Sequence, residues 1–293
     1  MQPRLVAAVV LCLTAAACGE SNRGPPPREP VPAPSVELSA EDREAFKPGP
    51  SARDQVPVLL YRQPERNAFA RQMTLLQQAG YETITAADLV RFVQGEPVSL
   101  PPRPLLLTFD GGQLATWTET DGILRKLGFN AVLFIDIEPL ESEDRAYLSW
   151  EELNRLQESG RWDVQLQSGT GHREIQYGPD PGDIGPFYAY RGESEVLGGW
   201  RERVFSDVTL GEDQLTHRIR GYRPIAFAPP YGNYGQLHTN DRRIPRELLA
   251  RLLLSFDLVF TQDRSGFAIP GADNPLGRIE VRSEDDLRSL AGS

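Results

Sequence analysis

Cysteine is nearly absent from this sequence. The chain has 293 residues and two cysteines, Cys12 and Cys18, both within its first twenty residues. The rest of the chain has no thiol, so no structural disulfide can form there. This absence does not assign a redox compartment, because the N-terminus carries a stronger signal.

Runs of positive charge are also absent. Arginine is scattered, no five consecutive residues are basic, and the formal net charge is −10. Most of the molecule would repel a phosphate backbone, so we expect no nucleic-acid partner. With 40% hydrophobic and 25% charged residues, the composition is that of a globular domain large enough to bury a core.

The N-terminus has the layout of a secretory signal. A positive start, Met1–Arg4, precedes the apolar stretch Leu5–Leu13 and the small residues Thr14–Ala17, which lead into Cys18. The apolar stretch is too short to span a bilayer, which takes roughly 20 residues. Its end resembles a bacterial lipobox, so we predict a lipoprotein-type signal peptide over residues 1–18, with lipid attached to Cys18 after cleavage. The protein would then be exported and anchored to the bacterial cell membrane or envelope, with simple secretion as the alternative.

Two composition classes follow the signal. Residues 19–50 are rich in proline and charge and poor in aromatic residues, which predicts a disordered tether with extended polyproline II segments. From residue 51 to residue 293, apolar runs alternate with amphipathic stretches. Neither an internal repeat nor a second linker interrupts them, so we predict one domain over residues 51–293.

Six short apolar runs alternate with helical patterns in this domain. Their hydrophobicity is continuous, which is typical of parallel strands covered on both faces. Thr85 and Ser149 each precede a carboxylate by three residues and predict capped helix starts. Repeated strand-then-helix units indicate an α/β architecture, either a barrel or an open sheet. The predicted strands are residues 56–61, 105–109, 131–135, 162–166, 225–228 and 258–261.

Polar residues follow three of these runs, at the strand ends where ligand sites of βα folds gather. Asp110 enters a glycine turn, where it either performs chemistry or caps the turn. His172 is one of only three histidines, and its alternatives are a metal ligand and a hydrogen-bonded loop residue. Tyr231 and Tyr234 follow two prolines, and their rings could stack on sugars or pack in the core.

Four segments in this order resemble the polysaccharide deacetylase family with the NodB homology domain. They match its opening P-V-L-M-Y-H strand, its T-F-D-D-G motif, the helix and strand leading to its two histidine ligands, and its P-(Y/F)-G motif. The resemblance spans residues 56–282 and implies a distorted (β/α) barrel. The matching segments are Val56–Arg62, Thr108–Gly112, Tyr147–Leu153 with Gln167 and His172, and Ala228–Gly232.

The resemblance also implies a catalytic site. In that family the first acid of the Asp pair is the general base, while the second Asp and two histidines hold a zinc-like divalent metal that activates water. Asp110 matches the base. His172 matches the second histidine, as a metal ligand or a proton donor, and Tyr231 would offer its backbone N–H to the oxyanion.

Three positions depart from the family pattern. Gly111 stands where the metal-binding Asp belongs, Gln167 where the first histidine belongs, and Arg62 where the opening strand usually has histidine. These changes weaken the expected metal binding, and without metal Asp110 would supply only the roughly 100 to 10,000-fold of general base catalysis. The expected substrate-binding residues are Tyr61, Arg62, Gln167, Pro230, Tyr231 and Tyr234.

The resemblance predicts a carbohydrate-active hydrolase, an enzyme acting on carbon–nitrogen bonds other than peptide bonds. It would remove N-acetyl groups from envelope or extracellular polysaccharide, with activity reduced or lost by the departures. The alternative is a non-catalytic, membrane-tethered glycan-binding lipoprotein, in which Trp117, Trp150 and Trp200 are further candidates for stacking on sugars. A scaffold for an envelope assembly is a third possibility. The expected partners are a glycan and, through the lipid, a membrane.

Overall fold

The computed structural model describes residues 28–142, 145–219 and 222–291. The predicted signal peptide with its predicted lipidation site Cys18, and residues 19–27 of the predicted tether, lie outside these ranges. Within them, no helix combines the length and the apolar character that a membrane crossing requires.

Strands and helices alternate along most of the described chain. All six predicted strands are confirmed, and Thr85 and Ser149 both begin helices with a capping box. The strands are β1 (Val56–Tyr61), β2 (Glu82–Thr83), β3 (Pro104–Gly111), β4 (Ala131–Asp136), β5 (Trp162–Ser168), β6 (Glu174–Gln176), β7 (Ile184–Pro186), β8 (Ala226–Phe227), β9 (Leu258–Thr261), β10 (Phe267–Ala268), β11 (Leu276–Gly277) and β12 (Ile279–Glu280). The helices are α1 (Ala40–Ala45), α2 (Arg66–Gln78), α3 (Ala86–Val93), α4 (Leu114–Leu127), α5 (Glu138–Glu141), α6 (Trp150–Glu158), α7 (Leu197–Arg218), α8 (Ile244–Leu252) and α9 (Asp285–Ala291).

The main sheet is mostly parallel and nearly closed. Its strand order is β10-β1-β3-β4-β5-β8-β9-β11. β11 pairs with β9 through Leu276 and Gly277, and two residues later β12 pairs with β1 through Ile279 and Glu280. This short stretch joins the two sides of the sheet and shapes it into a barrel. The predicted distorted (β/α) barrel is confirmed.

The pleat of the strands decides which side chains reach the site. Successive side chains point to opposite faces of a sheet. Phe109 of β3 packs in the larger hydrophobic core, which the helices share, whereas Leu106 packs in a second core together with Phe134 of β4. Asp110 is in phase with Leu106, and Asp136 is in phase with Phe134. Both carboxylates therefore leave their strands on the side of the second core.

The described part of the predicted tether packs against the domain, which corrects the prediction of disorder for residues 28–50. The backbone N–H of Val31 donates to the carbonyl of Thr118 on α4 at 2.8 Å, and Gly122 lets this stretch lie directly on the helix. Leu38 and Phe46 are buried in the larger core. The composition is indeed proline-rich, but its few apolar side chains find a surface that the domain already provides, so the segment needs no core of its own.

Candidate active site

The carboxyl ends of β3 and β5 and the turn after β8 open into one cavity. Its volume is about 160 Å³, and its lining includes Asp110, Gln167, His172, Tyr231 and Arg62. A second cavity of about 260 Å³ adjoins it along His172 and Tyr231. The predicted base and the predicted histidine thus face a common space. A ligand in that space could contact both.

Asp110 forms a bidentate ion pair with Arg278. Its two carboxylate oxygens accept from the two Nη atoms of the guanidinium at 2.6 and 2.9 Å. The Arg278 side chain is fully buried and lies over the rings of Phe134 and Phe260. Arg278 sits between β11 and β12, where the barrel closes. The pair fixes the orientation of the Asp110 carboxylate, and each oxygen keeps a second lone pair for another partner.

His172 forms a dyad with Asp136. Its Nδ1 donates to an Asp136 oxygen at 2.7 Å, and the hydroxyl of Ser168 donates to the other oxygen. Burial lowers the pKa of His172. The hydrogen bond and charge of Asp136 and the charge of Asp110 outweigh this effect, so the pKa is raised above its usual 6.5. Since Nδ1 is held by Asp136, Nε2 is the ring nitrogen that remains for a ligand.

We expect His172 to titrate above pH 6.5 and Asp136→Asn to lower its pKa, because the substitution removes the negative charge that favours imidazolium. The dyad then stabilises the fold fully below the unfolded-state pKa of about 6.5, and this stabilisation is lost as the pH rises through the raised folded-state pKa. An NMR titration of the imidazole C–H shifts measures the change. Ser168→Ala is the matched control, because it removes a bond to Asp136 but no charge. An unchanged His172 pKa in Asp136→Asn would refute the dyad.

A carboxylate on α7 holds the loop that carries His172. Asp207 is buried, and it accepts from the backbone N–H of Gly169 at 3.1 Å and from the N–H and hydroxyl of Thr170 at 2.6 and 2.9 Å. The hydroxyl of Tyr188 donates to it as well. Four donors converging on one carboxylate fix the backbone just before His172.

Tyr231 lines the same cavity beside His172. It follows Pro229 and Pro230 and has left-handed backbone angles, φ 60° and ψ 8°, a conformation that costs energy in a non-glycine residue. Its ring meets the His172 ring edge-on, with centroids 4.9 Å apart, and the residue as a whole is 41% exposed. The strained turn therefore presents an accessible aromatic face next to the dyad.

Comparison with known proteins identifies the fold. Residues 98–243 match the family model described as polysaccharide deacetylase. The chain carries a domain of the polysaccharide deacetylase family. The match indicates a hydrolase that acts on carbon–nitrogen bonds other than peptide bonds. A comparison with curated protein sequences gave no match.

Solved structures resemble this deacetylase domain over most of its length. IcaB from Ammonifex degensii has 23% identity and a TM-score of 0.65, and the match covers 82% of this chain and 98% of that chain. A de-N-acetylase from Aggregatibacter actinomycetemcomitans has 17% identity and a TM-score of 0.66, with 77% and 94% covered. The BpsB deacetylase domain from Bordetella bronchiseptica has 19% identity and a TM-score of 0.64, with 80% and 98% covered. At these identities the likeness establishes the fold.

Three of the predicted substrate-binding residues are corrected by the structure. Tyr61 and Tyr234 are 1% and 6% exposed and belong to the larger core, and Pro230 is buried within its turn. Among the tryptophans considered for stacking, Trp117 and Trp200 are also buried. Arg62, Gln167 and Tyr231 do line the cavity. Aromatic residues at the ends of these apolar runs serve mainly to pack the barrel against its helices.

The residues of this deacetylase domain do not fit a divalent metal. Among the described residues, no group of three or more His, Cys, Asp or Glu side chains lies close enough to hold one ion. Gly111 has no ligand atom in its side chain, and Gln167 offers a neutral amide. Asp110 already has a bidentate partner in Arg278. His172 remains the single predicted metal ligand with a suitable donor atom, and one imidazole is a poor zinc site.

Sequence reasoning missed Asp136, Arg278, Gln113 and Asp207. Asp136 carried a usable signal, because it ends the apolar run of β4 as Asp110 ends that of β3. The other three carried none: Gln113 is one polar residue in a glycine-rich turn, and Asp207 lies within a long helix. Arg278 reaches Asp110 only because the barrel closes across 168 residues of sequence.

Proposed function

We propose that this chain is a carbohydrate-active hydrolase that removes N-acetyl groups from an envelope or extracellular polysaccharide. The observation that carries the proposal is that Asp110 and His172 line the same cavity. A carboxylate base and an imidazole with a raised pKa form an acid–base pair of the kind that amide hydrolysis needs.

The chemistry uses groups of this chain alone. The Asp110 carboxylate takes a proton from a water molecule as the water oxygen bonds to the acetyl carbonyl carbon. The Tyr231 backbone N–H donates to the oxygen that gains negative charge. The carbon–nitrogen bond then breaks, and the His172 imidazolium gives its proton to the leaving amine. The products are acetate and a free amino sugar. With no metal to lower the pKa of water from about 15.7, the reaction should be slow.

Acetate release from N-acetylglucosamine oligomers tests this function, with an enzymatic acetate assay on chelator-treated protein. We expect slow release by the natural chain and a loss of about 100-fold or more in His172→Gln, because the proton donor is gone. His217→Gln is the matched control, since His217 is exposed on α7 and should keep the natural rate. No acetate from the natural chain, or equal rates in both variants, would contradict the proposal.

The second candidate is a non-catalytic glycan-binding protein. Two observations favour it: the described residues of the cavity are poorly suited to hold a metal, and Tyr231 is exposed beside the cavity. Saturable, chelator-insensitive binding of glycans without any acetate release would support this candidate. The N-terminal signal adds a location to either function: we propose export, with a lipid anchor on Cys18 or else secretion, which places the cavity among envelope and extracellular polysaccharides.

A further inference from the structure

The space that a side chain at position 111 would need is filled by Gln113. A Cβ atom built on Gly111 would lie 2.1 Å from Gln113 Oε1 and 2.8 Å from its Cδ. Gly111 also has φ 119°, a backbone conformation that side chains strain. The amide group of Gln113 therefore occupies the position where the family pattern puts a metal-binding carboxylate.

A second carboxamide, that of Gln167, lies at another position where the family pattern has a metal ligand. Gln167 is the second-last residue of β5, is 2% exposed and stands where the first histidine of the family motif belongs. Gln113 and Gln167 both line the cavity that Asp110 and His172 share. Two neutral amides thus stand at the positions of two metal ligands.

In each of these two amides, those of Gln113 and Gln167, the side-chain oxygen Oε1 has no hydrogen-bond partner among the described residues. Both oxygen atoms are buried. A buried amide oxygen without a hydrogen bond is costly, and native structures rarely leave one without a reason. Both side chains line the cavity, so a ligand there that donates N–H or O–H groups could satisfy these oxygens once the amides turn toward it.

The complementary ligand is itself an amide or a sugar hydroxyl. A carboxamide is uncharged and presents one acceptor and two donors, so it pairs with an acetamido group in either orientation. The Asp110–Arg278 pair is bidentate and leaves no uncompensated charge in this part of the cavity. Amide oxygens can coordinate a hard cation, but two neutral amides and a carboxylate that Arg278 already compensates offer little negative charge to hold one. A neutral, hydrogen-bonding group would gain two partners.

We propose that Gln113 and Gln167 form a metal-free subsite that binds the N-acetyl group of a hexosamine residue. The inference rests on the proposed function and deepens it. It assigns ground-state recognition of the acetamido group to two glutamines, where the family pattern assigns a metal. Binding is then independent of divalent cations.

Calorimetric titration of the full chain with N-acetylglucosamine tetramer, in excess chelator, tests the subsite. We expect saturable binding that the chelator leaves unchanged, and about tenfold or more weaker binding of the glucosamine tetramer, which lacks the acetyl group. Gln113→Leu and Gln167→Leu should each weaken the binding of the N-acetylated tetramer by a similar factor. Gln72→Leu is the matched control, because Gln72 is a buried glutamine that lines a different cavity. Thermal unfolding of each variant verifies that it is folded.

Three outcomes would overturn the subsite: binding abolished by chelator, equal affinity for both tetramers, or unchanged affinity in folded Gln113→Leu and Gln167→Leu. The result is separable from the proposed function. Selective, metal-independent binding without acetate release keeps the subsite and removes the hydrolase. Acetate release that neither glutamine substitution alters keeps the hydrolase and removes the subsite.

Discussion

Asp110→Asn is expected to lower the free energy of unfolding by about 3 kcal/mol, although Asp110 lies at the rim of a cavity. The substitution leaves the fully buried guanidinium of Arg278 without its counter-charge. Breaking a buried ion pair by removing one partner typically costs about 3–5 kcal/mol. The low end applies because asparagine keeps one acceptor oxygen for the guanidinium. Urea unfolding at neutral pH measures the change.

The double variant Asp110→Asn/Arg278→Met separates the ion pair from simple loss of a side chain. Methionine has no charge and can lie on the rings of Phe134 and Phe260 as the guanidinium does. The double variant should therefore recover much of the stability lost by Asp110→Asn. If it is less stable than the single variant, orphaned charge is not the cause. Any loss of acetate release in Asp110→Asn has to be measured on the folded fraction for the same reason.

The sequence predicted the structure well where a local pattern of residue types determines it. Continuous apolar runs located the barrel strands, and the polar residue after such a run located Asp110 and His172. The strand predictions succeeded, and Asp110 and His172 line one cavity, because burial on both faces and the position of a strand end are local properties.

The substrate-binding prediction for Tyr61 treated a strand end as if side chains on both faces of the sheet could reach the site. Tyr61 ends β1, but in the sheet register it lies opposite Phe109, and both rings stack in the larger core with centroids 5.6 Å apart. Asp110 is one residue further along β3 and so points to the other face. The parity of Tyr61 relative to Phe109 depends on the pairing of two strands, which the sequence of either strand alone does not contain.

The three departures from the family pattern all change the same cavity. Gly111, Gln167 and Arg62 all line the cavity of Asp110, so each alters the same ligand environment. Loss of the carboxylate at position 111 makes room for the Gln113 amide, and the Gln167 amide replaces an imidazole. We expect such a cavity to keep its hydrogen-bonding capacity and to bind a cation more weakly than one lined by a carboxylate and a second imidazole. Hydrogen-bonding capacity of this kind is sufficient for the proposed recognition of a neutral sugar group.

Asp207→Asn is expected to destabilise the chain by about 2–4 kcal/mol and to loosen His172 from Asp136. An asparagine side chain replaces one acceptor oxygen by a donor, so at least one of the loop donors, Gly169 N–H or Thr170 N–H, loses its partner. Hydrogen bonds to a charged group contribute about 1.5–3 kcal/mol each, and an orphaned buried N–H adds its desolvation cost. Because the loop leads directly into His172, the dyad loses its fixed geometry.

Two measurements on Asp207→Asn distinguish positioning from a purely structural role. Chemical denaturation gives the loss of stability, and an NMR titration gives the pKa of His172, which should fall from its raised value toward the ordinary 6.5 as the contact with Asp136 loosens. Tyr188→Phe is the matched control, because it removes one of the four donors to Asp207 and leaves both backbone bonds. It should cost less stability and leave the His172 pKa raised. A destabilised Asp207→Asn whose His172 pKa matches the natural chain would show that α7 supports the loop without setting the dyad.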